Sequence, residues 1–258
     1  MNRTVGCIIA RTNSTRLKKK VLKTMGKKKM IEQLIERMKI SNNFDALYLC
    51  TSTHADDAFL LEVAEENGIN AYAGSELSVI DRLIDVGEKE SATNVVRILG
   101  DNPLTDPYIA DQLICSHNDR KADFTTMEFL PRGALAQIIR LSALKDLYSK
   151  MNPDESQYLT LYINNPKLFK CNYLIPEPSC YKPFLTFSVD REKEYNDVNL
   201  LVNQLGIRMH LAEYIKIAEE KNICQLDKHM AIKVSESETI SYAEHLKWKE
   251  ERIKGLTN

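Results

Sequence analysis

The sequence predicts an α/β chain built on a mixed, mostly parallel central sheet flanked by helices. Three observations carry that expectation: short apolar runs recur through the first two thirds, helix-length amphipathic segments separate them, and no internal repeat interrupts the alternation. The runs at 5–10, 46–51, 71–73 and 95–99 are each too short for a helix and end in turn or polar residues, so they read as strands. Between them, Met30, Leu34, Ile35 and Met38 form one stripe at helical spacing. Phe59, Leu60, Val63 and Ala64 form a second, and Val79, Ile80, Leu83 and Ile84 a third. This pitch predicts crossover helices returning to a parallel sheet, with ligands beyond the carboxyl ends of the strands. The loops after Ala10 and Leu99 are therefore the first expected sites. Beyond about residue 120, strands are expected at 123–127, 136–140, 169–174 and 184–189, with helices at 142–150 and 156–164 continuing the same core. The expected division is an α/β domain over 1–206 and a charged helical extension over 207–258. Leu211, Tyr214, Ile215 and Ala218 share one face of that extension, which is expected to pack on the core or on a partner subunit.

Composition removes several classes of function. Lys+Arg 35 against Asp+Glu 36 gives a formal net charge of -1, so no global field draws the chain to nucleic acid or an anionic membrane. No stretch approaches the ~20 apolar residues of a bilayer span, and the amino-terminal run is too short and strand-like for a signal peptide, so a cytoplasmic protein is expected. The six cysteines include no Cys-x-x-Cys pair and read as buried reduced thiols. The five histidines show no metal-ligand spacing, which predicts surface or capping roles. Trp248 reads as a tail residue packing on the core or on a partner.

Any charged ligand must then meet a local cluster, and the first loop supplies one. Arg11, Arg16, Lys18, Lys19 and Lys20 place five cations within ten residues, among Thr12, Ser14 and Thr15. Arginine forks, lysine point charges and backbone N–H groups at a strand end suit a triphosphate. The Gly-x-x-x-x-Gly-Lys and Gly-x-Gly-x-x-Gly patterns are absent, which argues against a P-loop NTPase and a dinucleotide site. The alternative is a solvated basic surface shared with the nearby lysines at 27–29.

Two further strand ends carry carboxylates. Gly100-Asp101-Asn102-Pro103 follows one buried run and Val189-Asp190 another. Either aspartate can hold a divalent cation, which phosphoryl and nucleotidyl transfer need where charge builds on the transferred phosphate. Either can instead cap a helix, Asp101 the one opened near Asp106-Pro107 and Asp190 the one carrying Tyr195, Val198 and Leu201.

Six blocks in order resemble one family. Arg11-x-x-Ser14-x-Arg16-Leu17-x-x-Lys20-x-Leu22 resembles the signature loop of cytidylyltransferases that make CMP-activated sugar acids. Gly74-Ser75-Glu76 with Val79-Ile80-x-Arg82 and Arg97-x-x-Gly100-Asp101-x-Pro103-Leu104-x-Asp106-Pro107 point to the spore-coat polysaccharide cytidylyltransferase-like branch. Pro131-Arg132-Gly133, Glu155-x-x-Tyr158-x-Thr160-x-Tyr162-Ile163-x-x-Pro166 and Leu185-Thr186-x-x-Val189-Asp190 complete the series. The resemblance implies a Rossmann-like nucleotide-diphospho-sugar transferase fold that binds CTP and Mg²⁺ and transfers CMP to an anionic acceptor, releasing pyrophosphate. By position, Arg11, Ser14, Arg16 and Lys20 would hold the triphosphate, with Lys20, Arg11 and Arg16 serving the chemistry. Ala10, Gly74, Ser75 and Arg82 would bind cytosine and ribose. Asp101 and Asp190 would be the metal carboxylates, Asp101 also on the nucleotide side. Arg132, Glu155, Tyr158 and Tyr162 would line the pocket for a sugar acid, phosphonate or phosphate. The Tyr158 and Tyr162 pair also fits core packing at i,i+4 spacing. A homodimer is common among similar enzymes.

The chain departs from the family twice. Lys18-Lys19 stands where the loop usually reads Pro-Gly, and residues 134–137 lack the acidic residue that tends to follow Pro-x-Gly, which leaves the acceptor open. Two other functions share these features: a sugar-1-phosphate nucleotidyltransferase using another NTP, and a non-catalytic nucleotide-binding paralogue.

Overall fold

The computed structural model describes residues 2–14, 16–234 and 238–257. Its strands are β1 (Thr4–Ile9), β2 (Thr24–Met25), β3 (Lys28–Lys29), β4 (Ala46–Ser52), β5 (Asn70–Gly74), β6 (Asn94–Leu99), β7 (Phe124–Met127), β8 (Gln137–Arg140), β9 (Cys171–Leu174), β10 (Ala231–Lys233) and β11 (Thr239–Ser241). The helices are α1 (Met30–Met38), α2 (Ala58–Glu66), α3 (Val79–Lys89), α4 (Pro107–Arg120), α5 (Leu141–Tyr148), α6 (Leu159–Ile163), α7 (Glu192–Leu205), α8 (Leu211–Glu220) and α9 (Tyr242–Thr257).

Seven strands form the main sheet in the order β5-β4-β1-β6-β8-β7-β9. It is mostly parallel, with β8 antiparallel to both β6 and β7. Alternation along β1 sends Ile8 to one face and Val5 and Cys7 to the other. On the first face, the apolar stripes of α1, α2, α4, α7 and α8 share one buried cluster. On the second, α3, α5 and α6 pack with Val95 and Phe124. The crossovers carrying α1 and α2 cover the first face and the one carrying α3 covers the second, so strand order reverses between β1 and β6. That reversal opens a crevice at the carboxyl ends of these two strands, where ligands bind in open α/β sheets. Arg37 fastens the first layer: fully buried, it pairs with Asp106 at 3.0 Å and donates to the Thr105 and Met209 carbonyls.

Several expectations change. Residues 184–189 form no ladder strand; Leu185, Phe187 and Val189 are buried in an extended segment crossing the strand ends, held by single bridges from Arg132 to Thr186 and from Leu185 to Gln225. The helix expected at 156–164 is a 3₁₀ stretch, Pro153–Tyr158, followed by the short α6. The 207–258 segment is not helical throughout: β10 and β11 form a hairpin, α8 belongs to the main cluster, and Tyr242 and Leu246 of α9 close a small cluster on Phe129. Cys115 is exposed, although no cysteine among the described residues is bridged. His117 is buried against Thr125 instead of lying at the surface. No helix among the described residues is long and apolar enough to cross a membrane.

Candidate active site

The site grows out of three backbone features at the crevice. Gly100 follows β6 where an added Cβ would stand 2.7 Å from the Ala10 Cβ and 2.9 Å from the Ile9 carbonyl oxygen. Close approach of the β1 and β6 ends, not a positive φ, requires glycine here. Gly133 has φ +89, and its Cβ would lie 2.4 Å from the Ser188 nitrogen, so only glycine lets the loop at 131–133 lie against the segment leading to Asp190. A backbone hydrogen bond from Val189 N–H to the Asp101 carbonyl, 2.9 Å, ties that segment to the β6 turn. The third feature is Lys19, at φ 50 just before the 3₁₀ turn Lys20–Leu22. Lysine in the left-handed region costs about 1 kcal/mol, and that conformation leads directly into the turn that begins with Lys20.

Lys20 is the convergence point. Its side chain is buried while Lys18 and Lys19 are exposed, so the solvated-surface alternative describes those two and not Lys20. Lys20 Nζ donates to Asp101 Oδ2 and Asp190 Oδ1, each at 2.8 Å. Arg16 reaches Asp190 Oδ1 at 3.0 Å and Arg132 reaches its Oδ2 at 3.3 Å. Burial opposes ionisation of Asp190, but Lys20, Arg16 and Arg132 hold its carboxyl below the usual carboxylate range. Neither aspartate serves as a helix cap. Asp106 caps α4, accepting from the Tyr108 and Ile109 N–H groups at 2.9 and 3.0 Å. At α7 the Glu194 side chain accepts from the Asp190 and Arg191 N–H groups. Both capping alternatives therefore fall.

On the β5–β4–β1 side, Ala10 is buried and its N–H donates to the Cys50 carbonyl at 3.1 Å. Ser14 is half-buried in the loop after β1, whose Thr12 N–H and hydroxyl both donate to Asp57 Oδ1 at 2.7 Å. Arg11 donates to the Glu76 carbonyl at 2.8 Å, which joins the first loop to the 74–76 turn. Gly74 ends β5, and the Ser75 hydroxyl accepts from Ser78 N–H at 3.0 Å. Arg82, fully buried on α3, has both terminal nitrogens without a hydrogen-bond partner among the described residues. Burial, with Arg11 nearby, pushes its pKa down. A buried guanidinium with unpartnered terminal nitrogens beside the cationic first loop is the kind of group that ligand oxygens satisfy.

On the β6–β8–β7 side lies a cavity of about 470 Å³ that borders Asp101, Asp190, Arg16 and Arg132. Thr160, Leu161 and Asn164 contribute to its wall. Tyr158 instead lies under the Lys233 ammonium, 4.3 Å from its ring centre, and Tyr162 packs with the second core layer. The Glu155 side chain lies outside the described parts of the chain. Arg97 opens one of the family-like blocks but was given no role; its Nη1 donates to Gln137 Oε1 at 2.8 Å, and burial pushes its pKa down to about 10. A charge within the apolar run Val95-Val96-Arg97-Ile98-Leu99 was the available signal. Glu128 was also missed: nearly fully buried, it receives Lys249 at 2.6 Å and Arg252 at 2.8 Å from α9.

Comparison with known proteins places the chain among relatives of one kind. The family model for cytidylyltransferases matches residues 5–244. Spore coat polysaccharide biosynthesis protein SpsF of Bacillus subtilis (strain 168) is 31% identical over 216 residues, covering 81% of this chain and 90% of that one. Among solved structures, a cytidylyltransferase from Leptospira borgpetersenii serovar Hardjo-bovis (strain JB197) superposes with TM-score 0.80 at 24% identity, over 88% of this chain and 98% of the other. A CMP:2-keto-3-deoxy-manno-octonic acid synthetase complexed with CTP gives TM-score 0.61 at 20% identity, over 79% and 99%. At these identities the two structures show a shared fold.

Proposed function

Because the chain belongs to the cytidylyltransferase family, we propose that it transfers CMP from CTP to an anionic acceptor, a sugar acid or a phosphonate or phosphate, and releases pyrophosphate. One observation carries the reading: Lys20, Asp101 and Asp190 meet between a cationic loop with an orphaned guanidinium on one side and a sugar-sized cavity on the other.

The donor set suits Mg²⁺. Asp101 and Asp190 present hard carboxylate oxygens to one cation already, the Lys20 ammonium, and Mg²⁺ is characteristically held by one or two carboxylates with substrate phosphate oxygens and water. Bound by these two residues, Mg²⁺ would supply charge neutralisation at the reacting phosphate. The chain's own groups do the rest. Lys20, released from the carboxylates, would follow the developing charge of the pyrophosphate, with Arg11 and Arg16 as forks on the triphosphate. Ser14 would add a hydroxyl to the triphosphate, Ala10, Gly74, Ser75 and Arg82 would fix the nucleoside end, and Arg132 would orient the acceptor. The cavity would hold the acceptor oxygen in line with the α-phosphorus and limit access of water, so positioning supplies much of the rate.

The test is pyrophosphate release with CTP and Mg²⁺ against sugar acids, sugar phosphates and phosphonates, with ATP, GTP and UTP as alternative donors. The expected result is turnover with CTP alone and one acceptor class. Turnover of UTP with a sugar 1-phosphate would replace this reading with the sugar-1-phosphate transferase, and no nucleotide binding at all would leave a non-catalytic paralogue.

A further inference from the structure

The cavity beside Asp101 and Asp190 is closed by the chain's own C-terminal segment: Ile232 of β10 and Tyr242, His245, Trp248, Lys249 and Arg252 of α9 line it. Three polar atoms in this lining are buried without a hydrogen-bond partner among the described residues, Arg97 Nε, His245 Nδ1 and Arg252 Nε. A buried polar atom is costly to leave unpaired, and all three belong to side chains that line this one cavity, so a small shift of each side chain brings them to a ligand. Charge points the same way. Among the described residues, Arg16, Arg97, Arg132, Lys233, Lys249 and Arg252 line the cavity against Asp101, Glu128 and Asp190. Glu128 is committed to Lys249 and Arg252, which leaves one positive charge uncompensated at that wall besides Arg97. The nucleotide-side residues Ala10, Arg11, Gly74 and Arg82 lie across the crevice, over β1, β5 and α3.

Resting on the transferase reading, we propose that α9 is the acceptor-recognition helix of this protein. Arg252 from the helix and Arg97 from the sheet bind the acceptor's anionic group, and His245 hydrogen-bonds one of its hydroxyls. Glu128 positions the helix by holding Lys249 and Arg252 against β7. Burial, reinforced by Lys249, pushes His245 down to about 4, so its imidazole is neutral at physiological pH and suited to a hydroxyl. Trp248, Tyr242 and Phe129 add aromatic surface for the carbon face of a polyol ring. The 153–158 turn and the tyrosine pair then act as scaffold, with Thr160 and Asn164 reaching the cavity.

The experiment is calorimetric binding to the full chain of 3-deoxy-manno-octulosonate, glucuronate, glucose 1-phosphate and phosphonoacetate, with CTP titrated in parallel. Wild type is compared with Arg252→Gln and with His245→Gln, the second of which leaves the Glu128 ion pairs intact. We expect at least one anion to bind wild type and to weaken about tenfold or more in each variant, the size of one lost charged or buried hydrogen bond. CTP affinity should stay within about twofold, since no nucleotide contact is removed. The inference is overturned if the variants bind the anion as wild type does, if CTP weakens in step with the anion, or if wild type binds CTP and none of the four anions. Failure of wild type to bind CTP would overturn the transferase reading itself, and this inference with it.

Discussion

Lys20 carries its charge into a nearly closed position because two carboxylates meet it there, and Asp190 is further crowded by Arg16 and Arg132. A lysine held this way is poised to move to phosphate once other partners satisfy the carboxylates. Lys20→Ala should therefore lower pyrophosphate release by about 10²–10³, the usual consequence of removing one group that stabilises developing charge. The fold should survive, since Lys20 sits in a loop turn; initial rates and far-ultraviolet circular dichroism check the two statements, and an unchanged rate would remove Lys20 from the chemistry. A second residue sets a pH dependence. His117 is buried with Nδ1 at 2.8 Å from Thr125 Oγ1, and desolvation, aided by Arg140, lowers its pKa from 6.5 to about 4. The unfolded chain then binds a proton that the folded chain refuses, so stability is full above pH 6.5 and declines as pH falls towards 4. His117→Gln should flatten that decline when urea midpoints at pH 7 and pH 4.5 are compared. A remainder should persist, because His245 is shifted in the same direction.

Asp106 couples two helices to one buried guanidinium. Its Oδ1 caps α4, while its Oδ2 accepts from Arg37 at 3.0 Å and from the first N–H of α8, Leu211, at 3.0 Å. Asp106→Ala removes the cap and leaves Arg37 charged inside the core, which predicts a loss of about 3–5 kcal/mol in urea unfolding. Asp106→Asn keeps hydrogen-bonding capacity and should lose less. The Asp-Pro opening of α4 was legible because an N-cap followed by proline is a local signal. So were the α1, α2 and α3 stripes, whose 3.6-residue period survives packing on either face of a sheet. The segment at 184–189 misled because apolar alternation looks the same whether the buried side chains hang from a ladder or from a strand-like crossing. The β10–β11 hairpin was hidden by its length, three residues a strand, inside a charged tail without an Asn-Gly turn.

Across the whole molecule, legibility follows distance in sequence. Lys20, Asp101 and Asp190 could each be found in the stretch that follows an apolar run, and a single crevice at the β1–β6 reversal brings them together. The α9 wall could not, because the Arg252 to Glu128 pair spans 124 positions and nothing near either residue announces the other. The same convergence couples the ligands of the proposed reaction. In the free protein Lys20 bridges both carboxylates, so Mg²⁺ alone would have to displace an ammonium that has no other hydrogen-bond partner among the described residues. CTP alone would attract Lys20 only by leaving Asp101 and Asp190 without the cation they share. On the proposed reading, the two together would cost less: Asp101 and Asp190 would hold the metal while Lys20 turned to the triphosphate. Ligands that bind only the native state raise stability by RT ln(1 + [L]/Kd), about 2.7 kcal/mol at a hundredfold excess over Kd. For a chain of this size that corresponds to a melting shift of roughly 5–10 °C. The expected pattern in thermal scans is a negligible shift with Mg²⁺, a small one with CTP plus chelator, and a joint shift larger than their sum. Coupling of this kind is reciprocal, so Mg²⁺ should tighten CTP by the same factor as CTP tightens Mg²⁺. Lys20→Ala should remove most of that excess by abolishing the exchange. Additive shifts in the wild type would mean that the Lys20 bridge does not stand between the two ligands.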